Sequence, residues 1–206
     1  MPYKLGIAPI VLTVSALALA CGGGNNTNNQ PAGRQAMPSP DTTPATSTAG
    51  GDVNTAPSDA QIFAVLSEAN EAEIDAAKTA LDKAKHADVK AFARQMIADH
   101  TKLLHGGKAL ADSLHVAPQP PANDSLATHV SQEKQQLSSV SAPTFDKTYM
   151  DAQVQDHETV LALLKQYEGQ AQNPRLKGMI TKAEPIVQRH LTHAQAVDAK
   201  LAAPAA

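Results

Sequence analysis

Residues 88–104 read DVKAFARQMIADHTKLL. Val89, Phe92, Ala93, Met96, Ile97, Leu103 and Leu104 recur every three or four positions, which is the spacing of one face of an α-helix. A single ionisable residue, His100, interrupts that face. The same arrangement, an apolar stripe broken once, is found in three other stretches. An earlier helix opens at Ser58 or Asp59 and carries Ile62, Phe63, Leu66, Ala69, Ala77, Leu81 and Ala84. A later one follows Thr144, a residue suited to an N-cap, and carries Phe145, Tyr149, Met150, Val154, Val160, Leu161 and Leu164 before ending by Gly169. The last begins after Asn173-Pro174, where proline fits a first helical position. It carries Leu176, Met179, Ile180, Ala183, Val187, Leu191, Ala194, Val197 and Leu201, and Pro185 inside it predicts a kink.

The connections define the topology. The helix that contains His100 starts near Ala87, is weakened by Gly106-Gly107 and is stopped by Pro118 to Pro121. The first two helices meet at a tight turn near His86, and the last two meet near Gln172-Asn173. Each pair is therefore an antiparallel hairpin. Residues 124–140 are polar, with Leu126, Val130 and Leu137, and predict a short, weak helix in a long crossover. Two hairpins with one long connection describe an all-α, ferritin-like four-helix bundle over residues 58–202.

Composition agrees with that class and excludes others. Of 206 residues, 42% are hydrophobic, enough for one sizeable core, while aromatics are 3% and Trp is absent. Sandwiches, barrels and base-stacking platforms are poor matches to so few aromatics. A formal charge of -3 argues against a nucleic-acid partner. One cysteine precludes an intrachain disulfide and any cysteine-based zinc cluster.

That cysteine has a place of its own. Lys4 is followed by an apolar run from Leu5 to Ala20, too short to span a bilayer comfortably, and the pattern is that of a secretory signal peptide over residues 1–20. The run ends Ala18-Leu19-Ala20-Cys21, which resembles a bacterial lipobox although Ala18 stands where leucine is usual. Lipidation of Cys21 would anchor the mature chain to a membrane; ordinary cleavage near Ala20 would release a soluble exported protein. By the same resemblance, Gly22 fits sorting to the periplasmic face of the outer membrane. The mature part carries 16 basic and 20 acidic residues, so acyl chains rather than charge would hold it at a lipid surface. Residues 21–57 are rich in Gly, Asn, Thr, Pro, Ser and Ala and have almost nothing to bury, which predicts a disordered tether. As a flexible coil it would extend about 30–36 Å.

The residues that break the four stripes are Glu73, His100, His157 and His190. His86 follows Glu73 by 13 residues and precedes His100 by 14; Asn173 follows His157 by 16 and precedes His190 by 17. Partners within each hairpin therefore lie at matching heights, about 20 Å from the turn at 1.5 Å per residue in the first hairpin. All four share one layer if the hairpins dock in register, which the spacing does not fix. A buried carboxylate among three imidazoles can be satisfied as a hydrogen-bonded polar layer that fixes helix packing. It can equally serve as a metal site, with N and O donors suited to zinc, copper, nickel or iron. Asp99 and Asp156 each precede a histidine and face an edge of the stripe, where they could support a ligand or be solvated acids; Tyr149 is a further candidate for such support. Glu71 and Glu184 read as surface charges; His193, three after His190, could join it in binding a metal but reads rather as an exposed imidazole. A carboxylate-bridged di-iron centre needs Glu-x-x-His pairs, and the positions three before His100 and His190 hold Ile97 and Val187. His157-Glu158 begins like a zinc-protease motif, but Leu161 stands in place of its second histidine. With no nucleophile–base pair identifiable from spacing, the reading leans away from an enzyme. His86, His105, His115 and His129 receive no role, and protein partners are not specified.

Five stretches carry a family resemblance: Asn70-Glu71-Ala72-Glu73-Ile74, Met96-Ile97-Ala98-Asp99-His100, Phe145-Asp146-Lys147-Thr148-Tyr149, Gln153-Val154-Gln155-Asp156-His157, and Pro185 followed by His190. Together they resemble the exported ferritin-like family known as domain of unknown function 4142, over about residues 58–201. Glu184 stands where that pattern usually has leucine. The resemblance implies the bundle fold, singles out Glu73, His100, His157 and His190, and agrees with an outer-membrane location; it implies no assigned activity.

Overall fold

The computed structural model describes residues 56–202. The signal peptide predicted over residues 1–20, the lipidation site at Cys21 and nearly all of the tether predicted to residue 57 lie outside the described residues.

The described residues form five helices and no strand: α1 (Asp59–Lys83), α2 (Ala87–Ser113), α3 (Ser125–Ser139), α4 (Ala142–Gln170) and α5 (Pro174–Ala202). The start of α1 follows from a capping box. The Ser58 hydroxyl accepts from the Gln61 N–H, and the Gln61 side chain accepts from the Ser58 N–H, so two otherwise orphaned donors are satisfied. At α2 and α3 the cap is one-way: the His86 side chain accepts from the Asp88 N–H and the Asp124 carboxylate from the Leu126 and Ala127 N–H groups, and Asn173 accepts from the Arg175 N–H at the start of α5. The predicted N-cap at Thr144 is corrected: α4 starts at Ala142, behind Ser141. Pro143 can stand in that first turn because N–H groups there have no intrahelical acceptor.

Gly106-Gly107 leave α2 unbroken, and it continues to Ser113 because Leu104 and Ala111 on either side are buried. The helix ends in a Schellman motif. His115 takes the left-handed position with φ 53, its N–H donates to the Asp112 carbonyl, and the Val116 N–H donates to the Ala111 carbonyl. The crossover helix α3 buries one residue, Leu137, yet it is seated. Lys83 Nζ donates at 2.7 Å to the carbonyls of Leu137 and Ser138 near its C-terminus, where the helix dipole favours a cation.

The α1–α2 and α4–α5 hairpins pack against each other through α2 with α5 and α1 with α4, and α3 lies on α1 and α4. Two aspartates fix their relative height. The Asp59 carboxylate accepts from the backbone N–H groups of Gln172 and Asn173, both at 2.9 Å, so the start of α1 holds the α4–α5 turn. Reciprocally, Asp146 at the start of α4 accepts from Lys85 and His86 in the α1–α2 turn. In this register the core divides into two apolar clusters. One contains Ala77, Phe92, Met96, Tyr149, Met150, Ala194 and Val197; the other contains Ile62, Phe63, Leu164, Leu176, Ile180 and Val187. The residues that break the sequence stripes fall between them.

Candidate metal centre

His100 from α2, His157 from α4 and His190 from α5 converge between the clusters. Their ring centroids are 5.2–5.8 Å apart, and one candidate ligand atom from each lies within 4.8 Å of the others. His157 is 1% exposed and His190 fully buried, so each ring's protonation must be settled by protein rather than water.

One nitrogen of each ring is held by an oxygen. The Asn70 amide donates to the Leu66 carbonyl at 2.6 Å, which turns its Oδ1 toward His100, and His100 Nδ1 donates to it at 3.0 Å. His157 Nδ1 donates to the Gln153 carbonyl at 2.8 Å. His190 Nε2 donates to Asp99 Oδ2 at 3.1 Å. A neutral imidazole has one N–H and one lone pair, so the lone pairs lie on His100 Nε2, His157 Nε2 and His190 Nδ1. Each of those atoms is buried and has no hydrogen-bond partner.

Burial keeps the three rings neutral. It pushes the pKa of His100 down to about 3, with the neighbouring His157 and His190 adding to the effect. His157 is lowered by burial against the opposing pull of the Gln153 carbonyl, and His190 by burial against its bond to Asp99. Asp99 resists its own partial burial and stays low because His190 and Lys102 are beside it.

Of the four predicted residues, Glu73 stands outside the histidine set. Its Oε1 is 3.8 Å from His157 Nδ1, and its Oε2 accepts from Gln153 Nε2 at 2.9 Å. Burial lifts its pKa to about 8, opposed by Gln153 and reinforced by Asp156, so at neutral pH it is a carboxylic acid beside a neutral ring, not an ion pair. An apolar cavity reaches Glu73, His100 and His157 from the cluster containing Phe63, Leu66, Leu164 and Ile180.

The flanking residues separate. Asp99 supports His190, as its place beside the stripe allowed. Asp156 makes its hydrogen bond to α3 rather than to a core histidine: its Oδ1 lies 2.7 Å from His129 Nε2. Tyr149 is buried, stacks on Phe145 at 9° and meets Phe92 edge-on, and it makes no contact with the histidines among those described. His193, expected to be exposed, is half-buried against Phe92 and faces Gln95. Glu71 is the surface charge expected, paired with Lys108. Asn70 and Gln153 were not singled out as site residues, although each stands one turn before a residue that was: Gln153 four before His157, Asn70 three before Glu73.

A buried set of three neutral imidazoles with inward lone pairs defines a helical protein with a nitrogen-lined core. The chain belongs to the family described as Domain of unknown function (DUF4142), which matches residues 43–197 and bears out the resemblance read from its motifs. No curated protein matches the sequence. Among solved structures the chain is similar to "CopM in the Cu(II)-bound form", with a TM-score of 0.58 and 14% identity over 71% of this chain and 99% of that one. That likeness is one of fold.

Proposed function

We propose that the chain is an exported envelope lipoprotein with a ferritin-like bundle that binds one transition-metal ion through His100 Nε2, His157 Nε2 and His190 Nδ1, with Glu73 beside His157 Nδ1 rather than among the ligands. The three unpartnered ring nitrogens carry this reading. A purely structural polar layer is expected to pair its buried polar atoms, and here three on facing helices are left bare. The oxygens on the opposite nitrogens are the partners that metal-ligating histidines ordinarily have. Asn70, the Gln153 carbonyl and Asp99 fix the tautomer of each ring before any ion arrives.

Nitrogen donors with a carboxyl nearby suit copper, zinc, nickel and iron, and copper(II) has the highest affinity among divalent ions for such a set. The Cu(II)-bound title of the similar fold favours the same ion. The bound ion would supply a positive charge in the core; the chain's own work is to hold it and to exclude water with the apolar clusters on both sides. Buffering or sensing metal, or handling reactive oxygen, fits a site without an identifiable nucleophile. The lipobox-like Ala18-Leu19-Ala20-Cys21 supports an anchor at a membrane through Cys21.

Metal analysis tests this. The full chain is purified without a histidine tag or chelator, beside His157→Ala, with circular dichroism to check folding. The expected result is a near-stoichiometric ion in the parent that the variant fails to retain in the core. No core-bound ion after incubation with copper, zinc, nickel and iron would leave the polar layer as a device for helix packing.

A further inference from the structure

We infer that the chain has a second divalent-cation site on the seam between α3 and α4, formed by the imidazole of His129 and the carboxylates of Glu133 and Asp156. His129 and Glu133 are four residues apart on α3 and so project from one face. Asp156 meets them from α4. One candidate ligand atom from each lies within 4.8 Å of the others.

The polar bookkeeping of this cluster does not close without a ligand. His129 Nε2 is 2.7 Å from Asp156 Oδ1, which satisfies one carboxylate oxygen. Asp156 is 9% exposed, and its other oxygen, Oδ2, is buried without a partner; Glu133 Oε1 is buried and unpartnered as well. His129 meets only Asp156 Oδ1, so Asp156 Oδ2 and Glu133 Oε1 are both left bare. A divalent cation gives each bare oxygen a partner. To reach the cation, His129 Nε2 exchanges its hydrogen bond to Asp156 for the metal: its proton leaves to solvent through the groove, Nδ1 carries the ring's N–H, and the Nε2 lone pair becomes the nitrogen ligand.

The donors also set this site apart from the core histidines. Two carboxylates and one imidazole form a harder set, suited to zinc, manganese or iron(II). A surface groove between α3 and α4 opens directly onto all three residues. Because α3 contributes one buried residue to the core, a cation bridging it to α4 would tie down the most weakly packed helix of the fold.

The test uses Zn2+ alone on the full chain, with His129→Ala and Glu133→Gln. His129 is exposed and Gln is isosteric with Glu, so neither change disturbs the core. Expected is one zinc equivalent whose affinity falls at least tenfold in each variant, together with slower amide exchange across residues 125–139 of the parent when zinc is added. His157→Ala should keep this equivalent, which separates failure here from failure at the core histidines. Unchanged zinc affinity and stoichiometry in both variants, or α3 exchange that does not respond to zinc in the parent, would overturn the site.

Discussion

Asp99 and His190 sit on different helices, yet a 3.1 Å bond between them decides which nitrogen of the ring is free. Asp99→Asn can offer an amide N–H in place of the carboxylate oxygen, and the tautomer is then no longer fixed. Metal affinity at the core histidines should fall about 10- to 100-fold, measured by competition with a chelator, with little change in thermal midpoint. Gln153→Leu removes the donor to Glu73 and leaves a buried carboxyl without that partner; urea unfolding should show a loss of about 1–3 kcal/mol. The histidines and Glu73 were legible because an ionisable residue on an apolar stripe is conspicuous. Asn70 and Gln153 were not, since a neutral amide one turn away resembles ordinary surface polarity until its partner is seen. Asp156 was expected at an edge of the stripe, and its partner His129 belongs to α3, whose position no spacing encodes.

At the scale of the helix, boundaries carry the testable energetics. His115 occupies a left-handed position that L side chains adopt at a cost, at the spot where glycine commonly ends a helix. His115→Gly should raise stability by about 1 kcal/mol, read from the denaturation midpoint; a lower midpoint would mean the imidazole contributes something the backbone does not reveal. Asp59 and Asp146 each hold the turn of the opposite hairpin with charge-assisted bonds. Each changed to Ala should cost about 1–2 kcal/mol, less than a buried equivalent because these contacts are largely exposed. The four long helices were legible from their 3.6-residue period and from the prolines and capping residues at their ends. The relative height of the hairpins was not, because it rests on two half-buried carboxylates reaching backbone N–H groups 60 or more residues away.

For the whole domain, buried ionisable groups dictate the response to pH. His100 has a folded pKa of about 3 against 6.5 in an unfolded chain, so between those values the unfolded state binds more protons and acid favours unfolding. His157 and His190 act in the same direction, as does the lowered pKa of Asp99. Glu73 and Glu133, raised by burial from 4.5 to about 8, bind more protons when folded, and their contribution is lost as pH rises through that range. The two limbs oppose each other between 4.5 and 6.5 and act alone outside it. The metal-free chain should therefore have its highest urea midpoint within that window and lower ones at about pH 3.5 and 8.5; a midpoint still climbing at pH 8 would contradict the assignment. If Cys21 is lipidated as proposed, Cys21→Ser should move the protein from the membrane to the soluble fraction, and retention after that change would refute the lipobox reading. No described helix is long and apolar enough to cross a membrane.

The three inward nitrogens are divided unequally between the hairpins: one from α1–α2, two from α4–α5. Neither hairpin alone can encircle an ion, and the full set exists only once the two have docked. Under the proposed reading, coordination would thereby be conditional on completed folding. A chain that travels unfolded would arrive empty, and whatever ion it came to hold would be drawn from the compartment where it folds. The identity of its metal would then record that compartment's supply rather than that of the place where the chain was made.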